Sequence, residues 1–99
     1  MQVKGGLSFT TLNSGKTHVC GVTTGGTAYC WGSNEDGELG NGTTRGSNVP
    51  IAVAGKDKFA SVSAGYSLTC GVTTTGAVYC WGKLGGQDIT SPVLISGPK

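Results

Sequence analysis

The chain has 99 residues, a formal net charge of +2 and only 12% charged residues, which leaves room for one small domain. Its lysines and arginines are scattered along the sequence, whereas nucleic-acid binding needs clustered positive charge. No apolar segment approaches the roughly 20 residues of a membrane-spanning helix. We therefore expect neither nucleic acid nor a membrane as a partner. The 19 glycines follow no Gly-X-Y period, and with Val, Thr and aromatic segments between them they predict an all-β protein.

Two strand candidates lie before residue 16. Residues 1–5 match residues 51–55 fifty positions later, and residues 9–15, which begin at Phe9, match residues 59–65. The chain begins at Met1 without the segments of a signal peptide. We therefore expect either a cytosolic protein or a mature or engineered form that starts with an added methionine.

A β-hairpin is predicted around Thr24-Gly25-Gly26, a three-residue loop with a glycine in the left-handed position. With residue 25 at its centre, Cys20 faces Cys30 and Gly21 faces Tyr29, and an aromatic ring opposite a glycine protects a weak point in a strand. Directly opposed residues at a non-hydrogen-bonded position have Cβ atoms close enough for a disulfide. We predict a Cys20–Cys30 disulfide; buried free thiols remain an alternative, and zinc, which prefers closer ligand pairs, is a weaker one.

A long polar arm, residues 33–48, follows the hairpin. Its Asn34-x-Asp36-Gly37-Glu38 segment lacks the acidic spacing and the distal Glu of a calcium loop, so we predict a solvated turn with no metal or other cofactor. Asn41-Gly42-Thr43 is a glycosylation sequon, and its Asn-Gly pair is also a turn signal. The charged side chains of the arm are predicted to contact a protein partner: Glu35, Asp36, Glu38 and Arg45.

The second half of the chain repeats the first. Residues 9–32 and 59–82 are identical at 12 of 24 positions, which marks a modular architecture. The same register predicts a second hairpin with a Cys70–Cys80 disulfide. If both disulfides form, the parent protein belongs in an oxidising, secreted or extracellular compartment.

A four-stranded unit of about fifty residues, closed by Trp-Gly, is the pattern of a β-propeller blade. We predict blade 1 over residues 1–48, including the arm, and blade 2 over 49–90 with a shortened arm. Residues 91–97 match residues 49–55 at an offset of 42 and are predicted, within 91–99, to be an extra edge strand. The predicted structural core consists of Phe9, Tyr29, Trp31, Phe59, Tyr79 and Trp81.

The first copy, Gly15…His18-x-Cys20-Gly-Val-Thr-Thr…Gly26-x-x-Tyr-Cys-Trp-Gly-x-Asn34-x-x-Gly37-Glu38-Leu39-Gly40, resembles the regulator of chromosome condensation repeat family. The second copy has Leu68 in place of the histidine and a shortened end, and Glu38 stands where the family usually has Gln. The paired cysteines resemble bacterial and other extracellular-type members. The resemblance implies a propeller, commonly seven-bladed, that binds partners on its faces, and it gives His18 a structural role.

Two blades cannot close a ring, because propellers typically need about four to eight blades and each blade needs neighbours to cover its faces. We therefore predict a homotrimer of six blades or a homotetramer of eight, since closed homo-oligomers bury such faces by symmetry. Residues 1–5 and 91–97 compete for the role of edge strand. We expect Pro92, Val93, Leu94 and Ile95 to add to the first blade of the next subunit, and the near-intact repeat suggests a designed or excised fragment.

The sequence leads to two functional hypotheses. The first is a non-enzymatic scaffold that self-assembles and binds proteins through the arm; no nucleophile, base and orienting carboxylate stand at a spacing typical of a catalytic triad. The second is a carbohydrate-binding module that uses pockets between blades, with Lys16 and Tyr66 as loop candidates at equivalent repeat positions.

Overall fold

The computed structural model describes residues 9–15, 17–55 and 58–97, which form two four-stranded antiparallel sheets. The predicted all-β fold with two propeller blades is confirmed. Within the described residues no helix is long and apolar enough to cross a membrane. The predicted strand at residues 1–5 and the loop candidate Lys16 lie outside the described residues. The strands are β1 (Phe9–Ser14), β2 (His18–Thr23), β3 (Ala28–Gly32), β4 (Ser47–Ala52), β5 (Phe59–Ala64), β6 (Leu68–Thr73), β7 (Val78–Leu84) and β8 (Gln87–Ser96).

The central hairpin of each blade has the predicted register. Cys20 pairs with Cys30 and Gly21 with Tyr29 across β2 and β3, and β6 and β7 repeat the arrangement. Both predicted disulfides, Cys20–Cys30 and Cys70–Cys80, are present. Each hairpin loop turns on a glycine with positive φ, 87° at Gly26 and 95° at Gly76, a conformation that only glycine adopts without strain.

Strand pairing places different side chains on the two faces of each blade. One face carries the aromatic residues: the Phe9 and Trp31 rings lie 5.8 Å apart in blade 1, and the Phe59 and Trp81 rings lie 5.9 Å apart in blade 2. The opposite face carries the disulfide and its valine neighbours. We call these the aromatic face and the disulfide face. The aromatic face consists of Phe9, Leu12, Val19, Tyr29 and Trp31 in blade 1, and of Phe59, Val62, Thr69, Tyr79 and Trp81 in blade 2. The disulfide face includes His18, Cys20, Val22, Ala28 and Cys30 in blade 1, and Leu68, Cys70, Val72, Val78, Cys80 and Val93 in blade 2.

The missing side chain at a central glycine makes room for the phenylalanine. A Cβ atom at Gly21 would lie 2.6 Å from the Phe9 ring, and one at Gly71 would lie 2.6 Å from the Phe59 ring. Tyr29 and Tyr79 pack edge-on against these rings, with centroids 6.2 and 6.4 Å away. The cross-strand tyrosine therefore does not cover the glycine alone, because the phenylalanine of the neighbouring strand lies directly over it.

The blade boundaries differ from the predicted ones. β4 pairs with β3, with Cys30 opposite Ile51, so the described part of blade 1 extends from residue 9 to residue 52. Blade 2 extends from residue 59 to residue 96. The sequence analysis assigned residues 49–52 to blade 2 and interpreted the matching residues 91–97 as an additional strand. In the structure β4 is the fourth strand of blade 1 and β8 is the fourth strand of blade 2.

The predicted intermolecular role of Pro92, Val93, Leu94 and Ile95 is corrected by the pairing of β8. This strand pairs with β7 of the same chain, with Val93 opposite Cys80 and Leu94 opposite Tyr79. The shortened arm explains the difference, because Gly85 and Gly86 turn the chain directly back with φ of 60° and 85°. Closing so short a loop costs less entropy than recruiting a strand from another molecule.

The main hydrophobic core lies between the two blades. The disulfide face of blade 1 packs against the aromatic face of blade 2, and Trp81 is fully buried there. Its counterpart Trp31 is only half-buried, because it lies on the aromatic face that no second sheet of the described residues covers. The core residues are Cys20, Val22, Ala28, Cys30, Leu39, Val53, Phe59, Val62 and Trp81.

The two tryptophans allow a matched test of this core. We expect Trp81→Ala to lower the free energy of unfolding by about 3–5 kcal/mol, as is usual when a buried large aromatic is removed. Trp31→Ala should cost clearly less, because this side chain is only half-buried. Urea unfolding of both variants, followed by circular dichroism in dilute solution, measures the difference. Equal losses would contradict the placement of the core.

Candidate functional site

The longest loop and three turns lie along one rim of the two sheets. Ser33 donates its backbone N–H to the carbonyl of Thr17 (2.9 Å), and Lys83 donates to that of Ser67 (2.8 Å). The ends of β3 and β7 are therefore tied to the turns that precede β2 and β6. We call this edge the arm rim; it comprises Gly15 and Thr17 before β2, the turns at 65–67 and 85–86, and the arm between β3 and β4, residues 33–46.

Asn34 organises the arm from inside. It is 1% exposed, and its side-chain oxygen accepts the backbone N–H of Leu39 at 2.8 Å. Its amide nitrogen contacts the carbonyl oxygens of Thr43 and Arg45, both at 2.9 Å, and Oδ1 of Asn41 at 3.2 Å. One buried side chain thus joins both halves of the arm. The segment is a structured loop, and the described residues contain no group of three His, Cys, Asp or Glu side chains that could hold a metal ion.

The arm packs against blade 2. Leu39 is fully buried in the core between the blades, and a Cβ atom at Gly40 would lie 2.6 Å from the Trp81 indole. Gly42 donates its backbone N–H to the carbonyl of Thr90 in β8 at 2.7 Å. The arm therefore covers Trp81, and it fixes the position of the two blades relative to each other.

The predicted partner contacts have different environments. Glu35 and Arg45 are exposed on the arm, and Tyr66, 70% exposed, lies on the same arm rim in the turn between β5 and β6. Asp36 is half-buried and lies 3.6 Å from the Lys83 amine, which is also 3.6 Å from Asp88. These pairs connect the arm to the hairpin of β7 and β8.

Glu38 is not the solvent-facing contact that the sequence predicted. Its side chain is 2% exposed, and Oε1 accepts the backbone N–H of Asp36 at 2.9 Å. The buried neighbour Leu39 draws this part of the arm in between the blades, and the turn folds the Glu38 carboxylate back onto its own backbone. Glu38 is therefore a structural residue of the arm.

A buried hydrogen-bond chain crosses between the blades beneath the arm. Oγ1 of Thr69 in blade 2 donates to the carbonyl of Glu38 at 2.8 Å, and Nε2 of His18 in blade 1 lies 2.8 Å from the same hydroxyl. Because the hydroxyl proton is directed to the carbonyl, Nε2 of His18 carries a proton and donates. The other ring nitrogen, Nδ1, is buried and has no hydrogen-bond partner among the described residues.

Sequence reasoning gave His18 a structural role but missed Thr69. A comparison of the two repeats could have indicated this pair, because the residues fifty positions away from His18 and Thr69 are Leu68 and Val19, which are both apolar. Only the packed structure shows that the two polar residues meet, because they lie on different sheets 51 positions apart.

The buried imidazole makes stability depend on pH. Desolvation lowers the pKa of His18 from its ordinary 6.5, and the nearby Glu38 charge opposes this in part. Because the folded-state pKa is the lower one, the unfolded chain binds more protons once the pH falls below 6.5, so stability is lost as the pH decreases through the folded pKa. We expect urea unfolding midpoints to decrease over this range, and His18→Leu to remove that component. An unchanged pH profile in His18→Leu would contradict the assignment.

The role of Asn34 is tested by a matched pair of variants. Asn34→Ala leaves the buried Leu39 N–H unpaired, and we expect it to cost about 1–3 kcal/mol of unfolding free energy. Asn48→Ala makes the same chemical change at an exposed position and should cost little. Thermal and urea unfolding measure both. A similar small effect at the two positions would show that the arm is not held through Asn34.

The two sheets, with their central hairpins and interblade core, define the class of protein: the described residues form two adjacent blades of a β-propeller. Two family models, both described as regulator of chromosome condensation (RCC1) repeat, match residues 25–72 and 9–38. The chain belongs to this repeat family, as the resemblance indicated.

Solved structures share the fold at low sequence identity. Human WBSCR16 matches with a TM-score of 0.82 and 18% identity, covering 96% of this chain and 26% of that protein. Yeast RCC1 (Prp20) bound to Kap60 matches with a TM-score of 0.81 and 22% identity, over 98% of this chain and 26% of that one. Prp20p from Saccharomyces cerevisiae, described together with its binding to Gsp1p and histones, matches with a TM-score of 0.82 and 22% identity, over 98% and 27%. The chain therefore spans about a quarter of the length of these structures.

Proposed function

We propose that this chain is a non-enzymatic protein-interaction scaffold, which forms part of a closed propeller and binds a protein partner through the arm rim. The observation that carries the proposal is the ordered arm. A buried asparagine and a fully buried leucine hold the arm in one conformation, while Glu35 and Arg45 remain exposed on it. A rigid loop that presents charged side chains loses little entropy on binding.

The composition of the arm rim favours a protein partner. Tyrosine and arginine are enriched where protein interfaces are strongest, and Tyr66 and Arg45 both lie on this rim. The rim also carries charges of both signs: Glu35 and Asp36 are acidic and Arg45 is basic, and Lys83 adds a positive charge at the adjoining end of β7. Such a mixture fits a polar protein surface better than a uniformly charged polymer.

The similar yeast structures are described with protein partners, Kap60 in one case and Gsp1p and histones in the other. We extend to this chain only the class of partner, a protein. Three or four copies of the chain would supply the six or eight blades of a closed ring. The two disulfides support a parent protein that works in an oxidising compartment.

The binding surface is tested by comparing the two rims. A triple variant, Glu35→Ala, Arg45→Ala and Tyr66→Ala, changes the arm rim. A control variant, Thr24→Ala and Thr74→Ala, changes exposed hairpin turns on the opposite rim. The wild-type chain is cross-linked in a culture of its source organism, and the attached protein is identified by mass spectrometry. We expect the triple variant to lose this cross-linked protein and the control variant to retain it.

A glycan array probed with the same three proteins tests the carbohydrate-binding alternative. Loss of a protein partner with both variants, or with neither, would contradict the proposed surface. Glycan binding that depends on Tyr66, with no protein captured, would replace the proposal by the carbohydrate-binding function.

A further inference from the structure

The two outer faces of the chain are the counterparts of the two faces that meet between its blades. The buried junction joins the disulfide face of blade 1 to the aromatic face of blade 2. The remaining faces are the disulfide face of blade 2 at one end and the aromatic face of blade 1 at the other. The disulfide face of blade 2 corresponds to the disulfide face of blade 1, and the aromatic face of blade 1 corresponds to the aromatic face of blade 2. Because the disulfide face of blade 1 and the aromatic face of blade 2 pack together in the junction, the junction shows what kind of surface fits each end.

Side-chain exposure shows that both ends lack such a partner within the described residues. Val72 is 39% exposed, whereas its counterpart Val22, inside the junction, is 2% exposed. Val93, on the same face opposite Cys80, is 38% exposed. At the other end Trp31 is half-buried, whereas Trp81 is fully buried. Both ends therefore present apolar surface of the type that the junction removes from water.

One pair of positions indicates what covers these ends. At the internal junction a histidine on the disulfide face meets a threonine on the aromatic face, His18 with Thr69. At the outer ends both members are replaced together: Leu68 takes the histidine position and Val19 the threonine position. A polar pair has become an apolar pair. Leucine opposite threonine, or histidine opposite valine, would instead leave a buried polar group without a partner.

We propose that the disulfide face of blade 2 docks on the aromatic face of blade 1 of a second copy, with Leu68 of one copy against Val19 of the next. This inference rests on the proposed scaffold function, because it names the contact that builds the ring. The contact joins two different surfaces head to tail, and such contacts close into rings when the rotation per subunit permits. A contact of this kind repeats the arrangement of the two blades of one chain from copy to copy, as successive blades do in a propeller.

The contact between copies is smaller than the junction within the chain. In the junction, Leu39 and Gly40 of the arm lie over Trp81. The counterpart of the arm in blade 2 is the turn between β7 and β8, which contains only two residues, Gly85 and Gly86. Trp31 of the second copy therefore receives less cover than Trp81. We expect assembly that depends on concentration, with the blades of one chain remaining joined when the copies separate.

A double-mutant cycle tests this contact. Leu68→His alone and Val19→Thr alone each bury an unpaired polar group, and each should weaken assembly by roughly tenfold or more. The double variant places the introduced hydroxyl against the introduced imidazole, so it should recover at least part of the loss. Multi-angle light scattering and sedimentation equilibrium over a concentration series measure the change. Val49→Thr and Leu94→His are matched controls outside both end faces and should assemble as the wild type does.

The outcomes separate this inference from the proposed function. A wild-type chain that stays monomeric at all concentrations, or single-variant effects that simply add in the double variant, would overturn the docking. The arm-rim triple variant should assemble normally, so a failure of partner binding leaves the docking intact. Circular dichroism at a dilution where every variant is monomeric confirms that the chains are folded.

Discussion

The burial of Trp81 is the constraint on which the rest of the structure depends. One sheet cannot cover this indole, so blade 1, the arm and blade 2 must come together around it. Gly40 allows the arm to lie directly on the ring, and Leu39 fills the space beside it. The hydrogen bonds of Asn34 then hold the arm in the conformation that reaches this position. The ordered arm rim is thus a consequence of core packing between blades.

The sequence was sufficient for the features that depend on local pairing. Two hairpin loops, two glycines opposite tyrosines and four cysteines at one spacing determined the register of each central hairpin, and with it both disulfides. These residues contact each other within about ten positions, so strand geometry alone decides them. The blade pattern and the family followed from the same repeat.

The features that sequence reasoning missed depend on contacts between distant segments. Glu38 looked like a solvent-facing charge because nothing in its neighbours shows that Leu39 enters the core of another sheet. β8 looked like a surplus strand because its match to residues 49–55 was visible, whereas its pairing with β7 was not. The meeting of His18 with Thr69 requires the packing of two sheets. In each case the outcome depends on contacts between segments that are far apart in the sequence, and no local pattern of residues indicates those contacts.

The repeat recognised in the sequence and the blade seen in the structure are out of phase. The family repeat over residues 25–72 begins in one hairpin loop and ends in the second strand of the next blade. It contains Ala28, Cys30 and Leu39 from one side of the junction and Phe59, Val62 and Thr69 from the other. A gene duplication that inserts a second copy of this segment therefore brings residues from both sides of the interface together, while the interface residues outside the segment, His18 and Trp81 among them, stay in the flanking blades. Such a duplication lengthens a propeller with faces that largely already fit their neighbours.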